Sequence, residues 1–464
     1  MTDDTEHRGR PAFRSAAATA PSRRALLGLG AAALALPALG RPALAQAAPS
    51  IDVAVIGGGA AGIAAARRLA GLGRSCVLLE AADRRGGRAR TVDFAGGGLD
   101  LGASRLAAGG GVAVALAKAG VGLVPLVAAR RLYVDGREAR ESGYDGFIAA
   151  LGRAERAIAA TADAGRDIAA AAAMPEGGEW AATLAALLGP LACGRSLAAI
   201  STVDLARRQP PPEDARPEGM GVGDALVKLG AGLGPAVELR LGARVARIEN
   251  LRSSVTLGLE GGATLRARVA ILAVPAAVIA AGAIRLAPAL PARLVEAFRA
   301  HPAGMMEQVG FVLPGNPLDL QPDERVVMKA AGGPPALLHA RIGGGDLHVL
   351  LFGGEPAEEI SARGEPSGLA LARAALAAGF GAQAGAGVGS VAVSRWTRDP
   401  LIRGAMAVAQ PGAGALRRLF GDPLGRLILA GEYTSPDQWG TLAGAWQSGE
   451  LAAERAARLI SGPA

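Results

Sequence analysis

The chain has 464 residues, half of them apolar and 3% aromatic, with two cysteines and a formal charge of +8. That is material for two or three domains of ordinary size, too little cysteine for a disulfide framework, and the composition of a soluble α/β protein, neither disordered nor fibrous. The basic balance does not point to nucleic acid. Apart from Lys118, Lys228 and Lys329 the basic residues are all arginine, they are scattered among acids, and no basic stripe carries interleaved aromatics.

Residues 1–50 read as a leader. Ser22-Arg23-Arg24-Ala25-Leu26-Leu27 resembles a twin-arginine export signal, a moderately apolar stretch runs on to about Leu39, and Ala43-Leu44-Ala45 and Ala45-Gln46-Ala47 offer small-x-small cleavage sites. The apolar stretch is shorter than the ~20 residues a membrane span needs. Six arginines against Asp3, Asp4 and Glu6 give the leader a net +3. The expectation is export of a folded protein to the periplasm by the twin-arginine machinery, with membrane association if the signal stays uncleaved.

The apolar run Ile51–Ile56 predicts a strand, Gly57-Gly58-Gly59-Ala60-Ala61-Gly62 a glycine turn entering a helix, and Ser75–Leu79 a second strand ending on Glu80. Strand, glycine turn, helix, strand and acid is the order of a dinucleotide-binding unit. Gly57 allows the turn, Gly59 lets the backbone approach a pyrophosphate, and Gly62 lets the helix pack on the strand. Ala61 lies in the first helical turn, whose free N–H groups suit phosphate. Glu80 sits where a carboxylate accepts from a ribose diol.

The segment after Glu80 separates FAD from NAD. Arg84-Arg85-Gly86-Gly87-Arg88 resembles the R-x-G-G-R segment of the flavin monoamine oxidase family, whose arginine closes on the pyrophosphate. Beyond the strand Thr91–Phe94, Gly102-Ala103-Ser104-Arg105 resembles the G-A-x-R of its L-amino-acid oxidase and tryptophan monooxygenase branch. That resemblance implies that Gly102, Ala103 and Ser104 lie along the flavin and that Arg105 contacts it or binds a substrate carboxylate.

Further along, Val112–Ala119 predicts a helix, and Val121–Leu126 and Leu132–Val134 predict strands. An Ala-rich helical insertion comes next, with helices at Phe147–Arg156 and Trp180–Leu188, then a proline-rich linker from Pro210 to Pro217. Gly223–Leu233 predicts a helix, and Val237–Leu241 and Ala243–Glu249 strands. Val245 lies in a segment resembling the one that meets the adenine. Ser254–Leu259 and Thr264–Ala267 read as a hairpin on Gly261-Gly262, and Val269–Val274 as a separate buried parallel strand. Strands at Glu307–Leu313, Arg325–Ala330, Ala336–Ile342 and Leu347–Phe352 and a helix at Leu369–Ala378 form a second pass.

Here the chain departs from the family it resembles. Gln308 stands where the family lysine holds a water beside the flavin, which predicts slow reaction with oxygen; Lys329 is the candidate replacement. Trp396-Thr397-Arg398-Asp399-Pro400 matches the family's W-x-x-D-P, and Ala405, where some relatives place a linking cysteine, implies noncovalent FAD. After the strand Arg426–Ala430, Gly431-Glu432-Tyr433-Thr434 implies that Glu432 binds the ribityl hydroxyls. Leu442 opens a final helix, running to Leu459, whose N-terminus faces the flavin. Met406 and Thr441 stand where monoamine members carry facing aromatics, with Trp439 nearby, so these three are expected on the substrate wall.

The expected fold is α/β. A discontinuous Rossmann-like FAD-binding domain comprises 51–125, 218–290 and 391–464, and a second, mixed-sheet substrate domain comprises 126–217, with the helical insertion, and 291–390. The implied reaction is oxidation of the C–N bond of a small amine or L-amino acid by hydride transfer to flavin. The imine is then hydrolysed, and peroxide forms if oxygen, rather than another acceptor, takes the electrons. Two rivals share these motifs: a desaturase or dehydrogenase of the carotenoid and protoporphyrinogen type, and an exported flavin-binding protein without catalysis. His301, His339 and His348 read as structural. The sequence leaves the oligomeric state open.

Overall fold

Two β-sheets carry the site. The computed structural model describes residues 51–126, 130–329 and 336–461, without the side chain of Arg130; the leader, with Arg23-Arg24 and its cleavage sites, lies outside the described residues. The first sheet runs in the order Arg285–Ala287, Val245–Asn250, Val255–Leu259, Thr264–Leu272, Ile51–Ile56, Cys76–Leu79, Val237–Arg240, and Leu427–Leu429 also pairs with Thr264–Leu272. Ile51–Ile56 (β1) lies between two parallel neighbours, Cys76–Leu79 (β2) and Thr264–Leu272. Successive β1 residues point to opposite faces. Val53 and Val55 pack under the helix Ala60–Gly71 (α1) and the C-terminal helix Leu442–Ser461, while Ala54 and Ile56 join the core of the other face. A strand buried on both sides needs a continuous apolar run, which is what the sequence shows.

Small residues set the spacing of the two helices. A β-carbon at Gly449 would lie 2.0 Å from the carbonyl oxygen of Ala61. Ala452, Ala453 and Ala456 continue that stripe against the face of α1 that carries Ala61 and Ala65. The C-terminal helix therefore lies close against α1, and both N-termini meet the same cavity.

The hairpin segment Thr264–Ala267 and the buried strand expected from Val269 onward are one strand, Thr264–Leu272. Its first half pairs antiparallel with Val255–Leu259; its second half pairs parallel with Leu427–Leu429, and β1 pairs with it from Ala267 to Leu272. The change of partner alters burial from alternating to continuous, and that change makes one strand read as two.

The second sheet has the order Val391–Val393, Met306–Val312, Leu347–Gly353, Ala336–Ala340, Glu324–Met328, Arg130–Val134, Arg137–Glu138, and is antiparallel except where Glu324–Met328 meets Arg130–Val134. Val309, Phe311, Leu338, Leu350 and Phe352 face a core closed by the helix Glu365–Phe380. On the opposite face the register aligns Gln308, Leu351, Leu337, Val327 and Leu132 in one cross-strand row. The Leu132 end is covered by the helical insertion through Trp180, Leu184 and Leu187. The insertion's main helix runs Glu141–Asp163, a turn or more beyond the expected bounds at each end; on the C-terminal side the Ala-rich run Ala157–Ala162 continues the helical pattern. The Gln308 end of the row opens onto the cavity. No helix among the described residues is long and apolar enough to cross a membrane.

Candidate functional site

A cavity of about 1050 Å³ runs from the C-terminal ends of β1 and β2 to the exposed end of that cross-strand row. This is the position where ligands bind in parallel α/β sheets, at a volume near the upper end of small-molecule sites. Gly57 leaves β1 with φ +107°, and a β-carbon there would lie 2.7 Å from the carbonyl oxygen of Ala273. At Gly62 it would lie 1.8 Å from the carbonyl oxygen of Gly57, so α1 can start only this close to the strand with glycine. Gly59 differs: its missing β-carbon leaves open space, with only the Cα of Gly87 within 4 Å. The α1 N-terminus has neither a side-chain cap nor an acid in its first turn, and Gly59, Ala60 and Ala61 line the cavity. Its free N–H groups and helix dipole suit an anion. Glu80, also on the wall, accepts from Gly58 N at 2.5 Å and Ala82 N at 2.8 Å, which fixes both oxygens at the end of β2. Val245 lines the same end.

The middle of the cavity converges on Glu432, 3% exposed. Its Oε1 accepts from Ala407 N and Arg88 Nη1, each at 3.2 Å, and its Oε2 from Gly440 N at 3.0 Å. Arg88 also donates to the Ala405 carbonyl. A carboxylate has about four acceptor positions, so one is left for a hydroxyl in the cavity. Gly431, with φ +143°, precedes it and donates to Ser448 Oγ at 2.9 Å. Thr441 caps the C-terminal helix by accepting from Gly444 N at 2.9 Å, and Leu442 begins it on the cavity wall.

Gly102, Ala103 and Ser104 run along the facing wall. The Gln308 side chain grips both backbone groups of Gly102: its Oε1 accepts from the N–H, and its Nε2 donates to the carbonyl at 2.9 Å. Buried Glu307, the next residue back, accepts from Trp396 N at 2.9 Å and Thr397 N at 2.8 Å. One strand thus positions both the Gly102 loop and the Trp396 segment. The Trp396 Nε1, buried and without a hydrogen-bond partner, is on a residue that lines the cavity.

Two expectations are corrected, Lys329 as the replacement for the family lysine and Trp439 on the substrate wall. Lys329 does not line the cavity; its Nζ bonds Glu179 at 2.7 Å and lies over the ring of Trp180, 4.9 Å from the centroid, because its strand end is covered by the insertion. Trp439 is fully buried and absent from the wall, its Nε1 donating to the Asp204 carbonyl at 3.2 Å. Met406, Thr441 and Arg105 do line it. Arg105, 3% exposed, donates to the Asp323 carbonyl at 2.6 Å. The sequence reading did not single out Arg208 or Arg325, which share this end of the cavity with Leu187, Leu191, Leu337 and Leu351. Arg208 comes after a short helix in no motif, and only the alternation of Arg325 with Val326 hints that it faces the other way from the core.

These residues fit an adenine dinucleotide. An uncapped helix N-terminus and an open space at Gly59 meet the diphosphate, a fixed carboxylate ends β2, and an orphaned indole N–H and a second helix N-terminus lie farther along. The fold and site define a dinucleotide-dependent α/β oxidoreductase. Residues 55–118 match the NAD(P)-binding Rossmann-like domain, and residues 221–457 match the flavin containing amine oxidoreductase family. The second match spans half of the chain, which belongs to that family and uses FAD. Its fold is that of putrescine oxidase (wild type bound to putrescine; TM-score 0.73, 19% identity, 87% of this chain and 98% of that one) and of cyclohexylamine oxidase from Brevibacterium oxydans IH-35A (TM-score 0.73, 22% identity, 88% and 99%). No curated protein matches the sequence. Family membership supports the amine oxidoreductase, and none of these matches favours the desaturase or the non-catalytic rival.

Proposed function

We propose that the substrate is an apolar α-amino acid, oxidised at its C–N bond. One observation carries this reading: the substrate end of the cavity combines leucine and methionine side chains with three arginines, Arg105, Arg208 and Arg325, against Glu213 and Asp214. Glu213 lies 3.7 Å from Arg325, and Asp214 accepts from Ala108 N at 2.9 Å. A wall this rich in guanidinium attracts a carboxylate, so the substrate carboxylate binds among the arginines while Leu187, Leu191, Leu337 and Leu351 receive the apolar side chain.

When bound, FAD would supply the acceptor for a hydride from the substrate α-carbon, and water would hydrolyse the resulting imine. The protein orients and desolvates. Gly59, Ala61 and Arg88 hold the diphosphate region, Glu80 the ribose, Glu432 the ribityl chain, and Leu442 opens a helix whose dipole favours negative charge. Gln308, tied to Gly102, shapes the wall where the family lysine would stand. Leucine and phenylalanine, each compared anaerobically with its decarboxylated amine by flavin bleaching, test the reading. The expected result is a kcat/KM at least ~10-fold higher for the amino acid, the worth of one charge-assisted contact; faster bleaching by the amines overturns it.

The Ser22–Leu27 motif supports export of the folded, FAD-loaded protein by the twin-arginine route to the periplasm. Replacing Arg23-Arg24 by lysines and fractionating cells tests this: retention in the cytoplasm is expected, and unchanged export overturns it.

A further inference from the structure

We propose that Arg208 is the residue that grips the substrate carboxylate, with Trp439 as the platform that aims it. This rests on the amino-acid reading above and assigns the contact to a different residue from the one the G-A-x-R motif nominates. Arg105 is engaged on the Asp323 carbonyl at 2.6 Å. Arg208 donates through Nε to the Trp439 carbonyl at 3.2 Å, and no other hydrogen bond to the described residues holds its two terminal nitrogens, although it lies on the cavity wall. A planar fork anchored at its inner nitrogen and open at its outer pair matches a carboxylate presented edge-on.

The anchor is rigid. The Arg208 guanidinium carbon lies over the Trp439 ring, 4.9 Å from its centroid, and Arg417 lies over the same ring at 4.8 Å. Arg417 is locked in turn: its Nε and Nη2 reach Asp204 Oδ1 and Oδ2, both at 2.6 Å, with the pair 3% and 1% exposed. Asp204 also accepts from Ala409 N at 3.0 Å, tying the insertion to the segment that precedes Glu432. The lining beside Arg208 comes from that framework, through Gly440 and Thr441, and from Leu191 and Ala192 of the insertion. Burial lowers the Arg208 pKa, opposed by Cys193 and Glu213, yet guanidinium remains cationic at physiological pH.

The test uses the FAD-loaded full chain. Arg208→Gln is expected to lower the ratio of leucine to 3-methylbutylamine kcat/KM roughly 30-fold, mainly through KM for leucine, and to weaken 4-methylpentanoate binding, read from the flavin absorption band, by a similar factor. Arg208→Lys, a point charge on the same stem, is expected to recover part of both and decides the matter if the Gln variant loses FAD. If the parent prefers leucine and both Arg208 variants keep that preference, while Arg105→Gln loses it, the assignment to Arg208 is overturned and the amino-acid reading stands. If the parent itself shows no preference, the amino-acid reading falls first.

Discussion

The two ends of the cavity are built by different means. The dinucleotide end is made of backbone: glycines at Gly57, Gly59 and Gly62, the uncapped start of α1, and Glu80 held by two N–H groups. The substrate end is made of side chains from distant elements: Arg105 after the hairpin of Thr91–Phe94 and Gly97–Asp100, Leu187 and Arg208 around the insertion, and Gln308, Arg325, Leu337 and Leu351 from the second sheet. The backbone end has no room for a β-carbon at Gly57 or Gly62. A side-chain site can change its substrate while the cofactor stays.

The largest effect is expected where the backbone has no room. Gly62→Val places side-chain atoms beyond a β-carbon already 1.8 Å from Gly57 O; the purified protein is expected to hold at least ~10-fold less FAD, as the turn cannot form. Leu337→Ala, at the other end, is expected to keep its FAD, measured by flavin released on denaturation. Equal losses would erase the contrast between the two ends.

Asp204→Asn comes next. It leaves Arg417 buried beside a neutral amide, a change that costs about 3–5 kcal/mol in pairs of this kind, to be read from urea unfolding. A loss under 1 kcal/mol would mean that the framework beneath Trp439 does not depend on the charge.

Acid should act through buried imidazoles. Burial, helped by Arg417, holds His301 near a pKa of about 4; burial, opposed by Asp346, does the same for His348. Burial pushes His339 well below its usual value, with Arg105 and Arg325 adding to it. These groups are neutral in the fold, whereas the unfolded chain takes up protons below about pH 6.5. Stability is therefore full above that pH and declines as the pH falls toward 4, by up to roughly 3 kcal/mol each for His301 and His348. His339 and His348 lie in or beside the strands of the second sheet, so acid should loosen that sheet; a melting temperature flat from pH 7 to pH 4.5 would contradict this.

The smallest expected change is at Gln308. Gln308→Leu removes two hydrogen bonds to Gly102, about 1 kcal/mol each, with FAD retained. Gln308→Lys is expected to speed the aerobic return of flavin colour after anaerobic reduction. Equal rates would separate this position from slow reaction with oxygen.

The sequence shows most of the dinucleotide end because each part depends on neighbours in the chain. Gly57, Gly59 and Gly62 have their roles within one turn, and Glu80 closes the next strand. Thr264–Leu272 was legible as strand but not as one strand, since its change of partner comes from pieces more than a hundred residues apart. Lys329 and Trp439 went the other way: their residue types suggested the cavity, but Glu179 and Trp180 claim one and Asp204 and Arg417 surround the other.

By itself the sequence determined that this chain turns a strand into a helix over glycine, ends the next strand in an acid, and returns near its C-terminus with a second helix for the same cofactor. Those features act through φ angles and helix ends, which are local. Only the tertiary structure decided which arginines reach the cavity and which aromatic supports them. The reason is physical: a side chain's direction is set by the strand register and helix packing beneath it, and those depend on contacts far away in the chain.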